Sequence, residues 1–261
     1  MVQTNAFQFL TVIDIISRSF GYSWRIFKES LLIICSIVVI QVVAQAMPDQ
    51  VTSLFKLEVL EFNATFLAIL LLVLFILLTV VAALIKISVA FFFLADDIWS
   101  GHNPNFAGAV QKATAGKCIA MIALGIRIAV ISLLWMILII IPGIIYAFNR
   151  TLSMIPLLVE DKTASEALAE SKRLVTSGKW YQLSGGSMRL AGLLLICAVV
   201  YFLGLVIVVL IVPIDGINDP VSVSDLFGFG VSYLYLYYMQ IFGVVALVGI
   251  YRDLSARVPK V

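Results

Sequence analysis

Runs of about 20 apolar residues recur along this chain, and no other feature narrows its fold as much. A hydrocarbon layer about 30 Å thick is crossed by a helix of about 20 residues rising about 1.5 Å each. Five stretches reach that length: 26–46, 62–94, 118–141, 188–212 and 227–251. A sixth, 144–159, follows the third after only Pro142 and Gly143, a helix-breaking pair that turns the chain back. Its length suits either a span or a re-entrant segment. With 62% apolar residues, 12% charged and a mean hydropathy of +1.12, the chain carries about half the charge of a soluble domain. The expected fold class is all-α, a polytopic transmembrane bundle of about six spans.

Two domains are expected. In residues 1–25, Phe9, Ile13, Ile16 and Phe20 share one helical face and Asp14 and Arg18 another, the pattern of an amphipathic helix lying along a membrane surface. Residues 26–261 form a single transmembrane domain. Ala44-Gln45-Ala46 resembles a signal-peptidase site, but the stretch before the first apolar run is far longer than an ordinary signal n-region, so the first span is expected to be retained.

Basic residues set the direction, because Lys and Arg near span ends are retained on the cytoplasmic side. Arg18, Arg25, Lys28, Lys112, Lys117, Lys162, Lys172, Arg173, Lys179, Arg252, Arg257 and Lys260 fall on one side, whereas the opposite loops, 47–61 and 213–225, hold only Lys56. Both termini are therefore expected in the cytoplasm. That topology makes the Asn-x-Thr triplets at Asn63 and Asn149 poor glycosylation acceptors.

Charge spacing suggests an internal repeat, with units at about 62–141 and 144–212 followed by the last span, 227–251. Lys86 precedes Asp96-Asp97 as Arg150 precedes Glu160-Asp161, and Gly116-Lys117 precedes Arg127 as Gly178-Lys179 precedes Arg189. Each unit carries one amphipathic loop helix. In the first, Asn103 caps, Pro104 takes the first helical position, and Phe106, Ala109, Val110 and Ala113 form a stripe ending at Gly116. In the second, Thr163 and Glu166 make a capping box ahead of Ala167, Leu168, Ser171, Leu174 and Val175. Both units run in the same sense, so the repeat is parallel, about an axis along the membrane normal.

All fifteen acidic residues lie in loops or at span edges, while Lys86, Arg127, Arg150 and Arg189 lie within apolar segments. A charge at the bilayer centre costs about 2.5–3.5 kcal/mol on insertion scales. Two arrangements answer that cost. The four cations converge on an anion site that takes a phospholipid headgroup, which Arg forks and Lys point charges suit, or each stretches toward headgroups or the acids at its own helix end. The acid pairs themselves read as a divalent-cation site or as partners of Lys112, Lys117, Lys172 or Lys179.

Nothing signals catalysis, a metal or a cofactor. Cys35, Cys118 and Cys197 have no ligand spacing and read as small buried hydrophobes, and His102 is the single histidine. The tyrosines at 233, 235, 237 and 238 read as interfacial anchors. Gly185, Gly186, Gly228, Gly230 and Gly243 read as close helix contacts, or as an oligomer interface.

Ile141-Pro142-Gly143-Ile144-Ile145, then Leu157-Leu158-Val159-Glu160-Asp161-Lys162, then Ala167, Ser171 and Lys172-Arg173-Leu174, with a closing Tyr251-Arg252, together resemble the YciC-like bacterial inner-membrane proteins, related to the membrane domain fused to some glycerophosphodiester phosphodiesterases. The resemblance implies architecture and compartment, and no enzymatic reaction. The expected function is a non-catalytic, lipid-handling or envelope-maintenance membrane protein with membrane lipids as partners. The alternative is a subunit or assembly partner of a larger membrane complex, as a homo-oligomer or with another membrane protein. A secondary transporter ranks third, lacking an intramembrane acid for ion coupling. A nucleic-acid partner is excluded by the small, scattered charge of +2.

Overall fold

The computed structural model describes residues 11–46, 64–177, 185–211 and 223–258. Among these it is all helical: α1 (Val12–Ala46), α2 (Ala64–Trp99), α3 (Phe106–Lys112), α4 (Ala115–Leu138), α5 (Ile140–Arg150), α6 (Met154–Leu158), α7 (Ala164–Val175), α8 (Gly186–Ile211) and α9 (Val223–Arg257). Five helical stretches are long and apolar enough to cross a membrane: Leu74–Trp99, Ala115–Ile137, Ile140–Leu158, Gly186–Ile207 and Phe227–Arg257. Outward side chains such as Phe75, Ile126, Leu133, Leu195 and Phe202 are apolar, a surface that hydrocarbon solvates without cost, interrupted by the exposed Lys86 and Arg127.

The bundle is built around α9, whose Ile241, Phe242, Val245, Ala246, Val248 and Ile250 are fully buried. Helix α1 runs antiparallel to it, with Phe20 on Phe242 (4.5 Å between ring centres) and Phe27 on Tyr238 (5.7 Å). Helix α2 runs parallel to it, with Gln240 on Ser88 at 3.2 Å and Trp99 donating to the Val245 carbonyl at 2.9 Å. Trp99 lies against Gly249, where a side chain would collide with the indole. Gly230 and Gly243, by contrast, have open space beside them, so the contact with α2 falls nearly two turns beyond the expected Gly243, whereas the expected Gly186 does lie close against the Leu174 carbonyl. Helix α8 is antiparallel again, with Tyr235 donating to the Val200 and Tyr201 carbonyls at 3.1 Å. That tyrosine serves helix packing rather than anchoring alone.

The expected boundary at residue 25 falls inside α1, which is unbroken. Ile15, Ser19, Ser23, Ile26, Ser30, Ile34 and Val38 are buried along one face at helical spacing. The serine hydroxyls donate to their own i−4 carbonyls, at 2.6 Å for Ser19, 2.5 Å for Ser23 and 2.7 Å for Ser30, so small polar residues bury without orphaned donors. Of the face expected to meet the membrane surface, Ile13 is 74% exposed, whereas Ile16 packs against the core and Phe20 against Phe242. Residues 7–10 lie outside the described residues. Cys35, expected buried, is exposed on α1, and Cys118 and Cys197 are only partly buried.

The α4–α5 connection is a single extended residue, Ile139, so the reversal comes three residues before the expected Pro142-Gly143. Those two instead occupy the first turn of α5, where a proline needs no N–H partner. A side chain at Gly143 would meet the Met136 nitrogen at 2.7 Å and the Ser132 carbonyl at 2.9 Å, so only glycine lets the hairpin close this tightly. The return runs the whole length of α4: Gly143 faces Met136, Gly125 faces Met154 and Lys117 reaches the Leu158 carbonyl. The segment expected to be a span or re-entrant thus runs antiparallel beside α4 along its whole length, broken once.

Pro156 explains the break. It has no N–H to give the Leu152 carbonyl and its ring crowds that position, so α5 stops at Arg150. The Leu152 carbonyl accepts instead from the Ile155 N–H at 3.2 Å, and hydroxyls bond the carbonyls before the break: Ser153 donates to that of Arg150 at 2.7 Å and Thr151 to that of Ala147 at 3.2 Å.

Of the loop helices, α7 follows expectation, with the Thr163–Glu166 capping box and all five stripe residues buried. Helix α3 is capped by Asn105 rather than Asn103. The Asn105 side chain accepts from Gly108, and Gly116 already belongs to α4. Phe106 packs against Phe91, 6.4 Å between ring centres, and that packing fixes the start two residues later than Pro104 suggests.

Candidate functional site

The four expected site residues meet different fates. Arg189 is buried and forms an ion pair with Asp253, itself 6% exposed. Asp253 also accepts from Arg257 at 2.9 and 3.0 Å. The expectation that all four cations lack a protein counter-ion is therefore corrected at Arg189. Helix α9 continues past the apolar run to Arg257 and carries Asp253 inward with it. Lys86 and Arg127 lie exposed on the outer faces of α2 and α4, with no ion pair to any described residue. These two match the separate-stretching arrangement.

Arg150 is different. Ending α5 beside the break, its positive charge lies at the negative end of the helix dipole. The guanidinium donates through Nη1 to the Leu168 carbonyl on α7 and covers the Tyr146 ring at 5.5 Å, while Nε is buried without a hydrogen-bond partner. Ser171 of α7 donates to the neighbouring Asn149 carbonyl at 2.9 Å, so two bonds fix α7 against the end of α5. That docking brings in Lys172, which the expected site omitted.

Between them opens a cleft of about 310 Å³ lined by Trp135, Pro142, Ile145, Tyr146, Asn149, Arg150 and Lys172. It is apolar at the α4–α5 turn and cationic at the other end, about 12 Å along α5 by helical rise. The lining contains no carboxylate, and Lys172 is exposed with no ion pair to any described residue. Chemically, the cleft offers two cations to one anion and an apolar track to whatever the anion is attached to.

A second polar feature ties the ends of the helices together. Consecutive residues of α9 each hold a different element: Tyr251 donates to Glu160 at 2.6 Å, Arg252 donates to Asp96 at 2.9 Å and to Ser100 at 2.6 Å, and Asp253 holds Arg189 on α8. Lys162 pairs with Glu160 at 2.8 Å, Lys112 with Asp97 at 3.1 Å and Lys117 with Asp161 at 2.7 Å. The acid pairs thus have protein cations as partners, including the expected Lys112 and Lys117. Lys179 lies outside the described residues. Burial alone pushes the Glu160 carboxyl up, but hydrogen bonds from Lys162 and Tyr251 and the Lys162 charge outweigh it and hold the group below its ordinary value. Among the described residues no three His, Cys, Asp or Glu side chains are gathered to hold a metal ion.

Compared with protein-family models, curated proteins and solved structures, the chain shows no match in any of the three.

Proposed function

We propose that this chain is a non-catalytic inner-membrane protein with six spans, α1 being the first, and both termini in the cytoplasm, and that it binds anionic phospholipid headgroups at Arg150 and Lys172 in a lipid-handling or envelope-maintenance role. One observation carries the reading: a cleft beside a candidate span joins two cations, free of carboxylate company, to an apolar track. Phosphate suits such a pair, because a guanidinium gives it directed donors and an ammonium a point charge. The parallel repeat belongs to the same proposal, since Tyr251 and Arg252 take Glu160 from one unit and Asp96 from the other. The resemblance to the YciC-like proteins agrees with this architecture. Native mass spectrometry of the purified protein tests the site. Arg150→Gln and Lys172→Gln should each lower retained anionic lipid, whereas Lys86→Gln and Arg127→Gln should not, and unchanged retention in the first two refutes the reading.

A second reading, a subunit of a larger membrane complex, has its own support. Leu74, Phe75, Ile76, Leu77 and Leu78 are all at least 48% exposed, so among the described residues no helix covers this part of α2. A recurrent stoichiometric partner cross-linked there would favour that reading over a lipid-facing helix.

A further inference from the structure

We infer that the cleft discriminates by headgroup chemistry, taking an amine-free anionic phospholipid such as phosphatidylglycerol in preference to the amine-bearing phosphatidylethanolamine, with one acyl chain laid toward Trp135. This rests on the headgroup reading above and adds selectivity to it. The argument is one of missing counter-charge. Phosphatidylethanolamine places its ammonium a few bonds from its phosphate, so a phosphate bound between Arg150 and Lys172 brings a third cation among two. A site that welcomed that amine would place a carboxylate nearby, and the lining has none. The acids nearest in sequence on α7, Glu166 and Glu170, line a separate surface cleft with Lys162 and Arg173, and Glu170 is paired with Arg173 at 2.7 Å. A glycerol headgroup instead adds hydroxyls, which the Asn149 side chain in the lining matches in chemistry without a charge.

Donor geometry points the same way. Arg150 spends Nη1 on the Leu168 carbonyl and buries Nε, leaving Nη2 and the Lys172 ammonium for phosphate. At about 310 Å³ the cleft is at the small end of ligand sites, roughly 300–1,000 Å³, room for a headgroup and the start of one chain. The second chain stays in the surrounding lipid.

The test uses the full chain in nanodiscs of equimolar, acyl-matched phosphatidylglycerol, phosphatidylethanolamine and phosphatidylserine, with lipid retained on release read by native mass spectrometry. The expected result is phosphatidylglycerol over phosphatidylethanolamine by roughly three- to fivefold, the size of one solvent-screened charge contact, with phosphatidylserine below phosphatidylglycerol because it too carries an amine. Lys172→Gln, an exposed change that leaves packing untouched, should reduce that preference. Equal retention of phosphatidylglycerol and phosphatidylserine would overturn the inference, since net charge alone would then decide. Equal retention of all three, with Arg150→Gln still lowering the total, would overturn the selectivity and leave the headgroup reading standing. Retention indifferent to both Arg150→Gln and Lys172→Gln would overturn both.

Discussion

Tyr251 donates its phenolic hydrogen to the Glu160 carboxylate across 2.6 Å, joining the last helix to the residue pair that follows α6. The tyrosine is 3% exposed, while Glu160 is 37% exposed and keeps Lys162 at 2.8 Å, so removing the hydroxyl costs the bond without stranding the carboxylate. Tyr251→Phe should therefore destabilise the bundle toward the lower end of roughly 1.5–3 kcal/mol, the range for a hydrogen bond to a charged group. Thermal unfolding in a fixed detergent measures it, and an unshifted midpoint would mean the contact adds nothing to stability.

The same carboxylate predicts a pH dependence. Its folded-state value lies below the ordinary one, so the stability it contributes is fully present above the unfolded Glu value, roughly pH 4.3, and is lost as pH falls through the folded value. Wild type should exceed Glu160→Gln in melting temperature at pH 7, and the gap should narrow as pH falls below roughly 4.3, the unfolded value. A gap of constant size down to pH 3 would show that the carboxylate charge is not what Tyr251 and Lys162 hold.

Arg189 and Asp253 form a buried pair between α8 and α9. Removing one partner strands the other, at a cost of about 3–5 kcal/mol, while replacing both by apolar groups of similar volume is often neutral. Asp253→Asn alone should thus be severe, partly through Arg257, which shares the carboxylate. The double replacement Arg189→Met with Asp253→Leu should recover much of the loss. Urea or thermal unfolding of the singles and the double gives the coupling, and strictly additive losses would deny that the two charges depend on each other.

That pair also marks the limit of what sequence could reveal. Apolar run lengths and the Thr163–Glu166 box depend on neighbours within a few residues, and these were legible: the helical class, the α7 cap and its buried stripe. Asn103 and Asn105 flank Pro104 as equally good local caps, and Phe106 against Phe91 decides between them, a contact no local pattern encodes. Asp253 reads as a span-edge residue until α9 is seen to continue inward beside α8. Arg150 was recognisable as a cation in an apolar stretch, but Lys172 joins it only because Ser171 and Leu168 seat α7 on the end of α5. The identities were visible, and their pairing depended on tertiary packing.

The α4–α5 hairpin and α1 offer the same substitution with opposite expected signs. Gly21 lies in the interior of α1 with nothing near the place a side chain would occupy, so Gly21→Ala removes backbone freedom from the unfolded chain and should stabilise by about 0.4–1 kcal/mol. At Gly143 the added carbon would meet backbone atoms of Met136 and Ser132 at 2.7 and 2.9 Å, which cannot swing aside as a side chain can, so Gly143→Ala should cost about 1–3 kcal/mol. Because Trp135 is adjacent to Met136 and lines the cleft with Pro142 and Ile145, spreading the hairpin widens the apolar end. Lipid retention should then fall with Gly143→Ala and stay unchanged with Gly21→Ala. Melting temperatures and native mass spectrometry on the two variants decide together: a destabilised Gly143→Ala that keeps its lipid would detach the cleft from the tightness of the turn that forms one end of it.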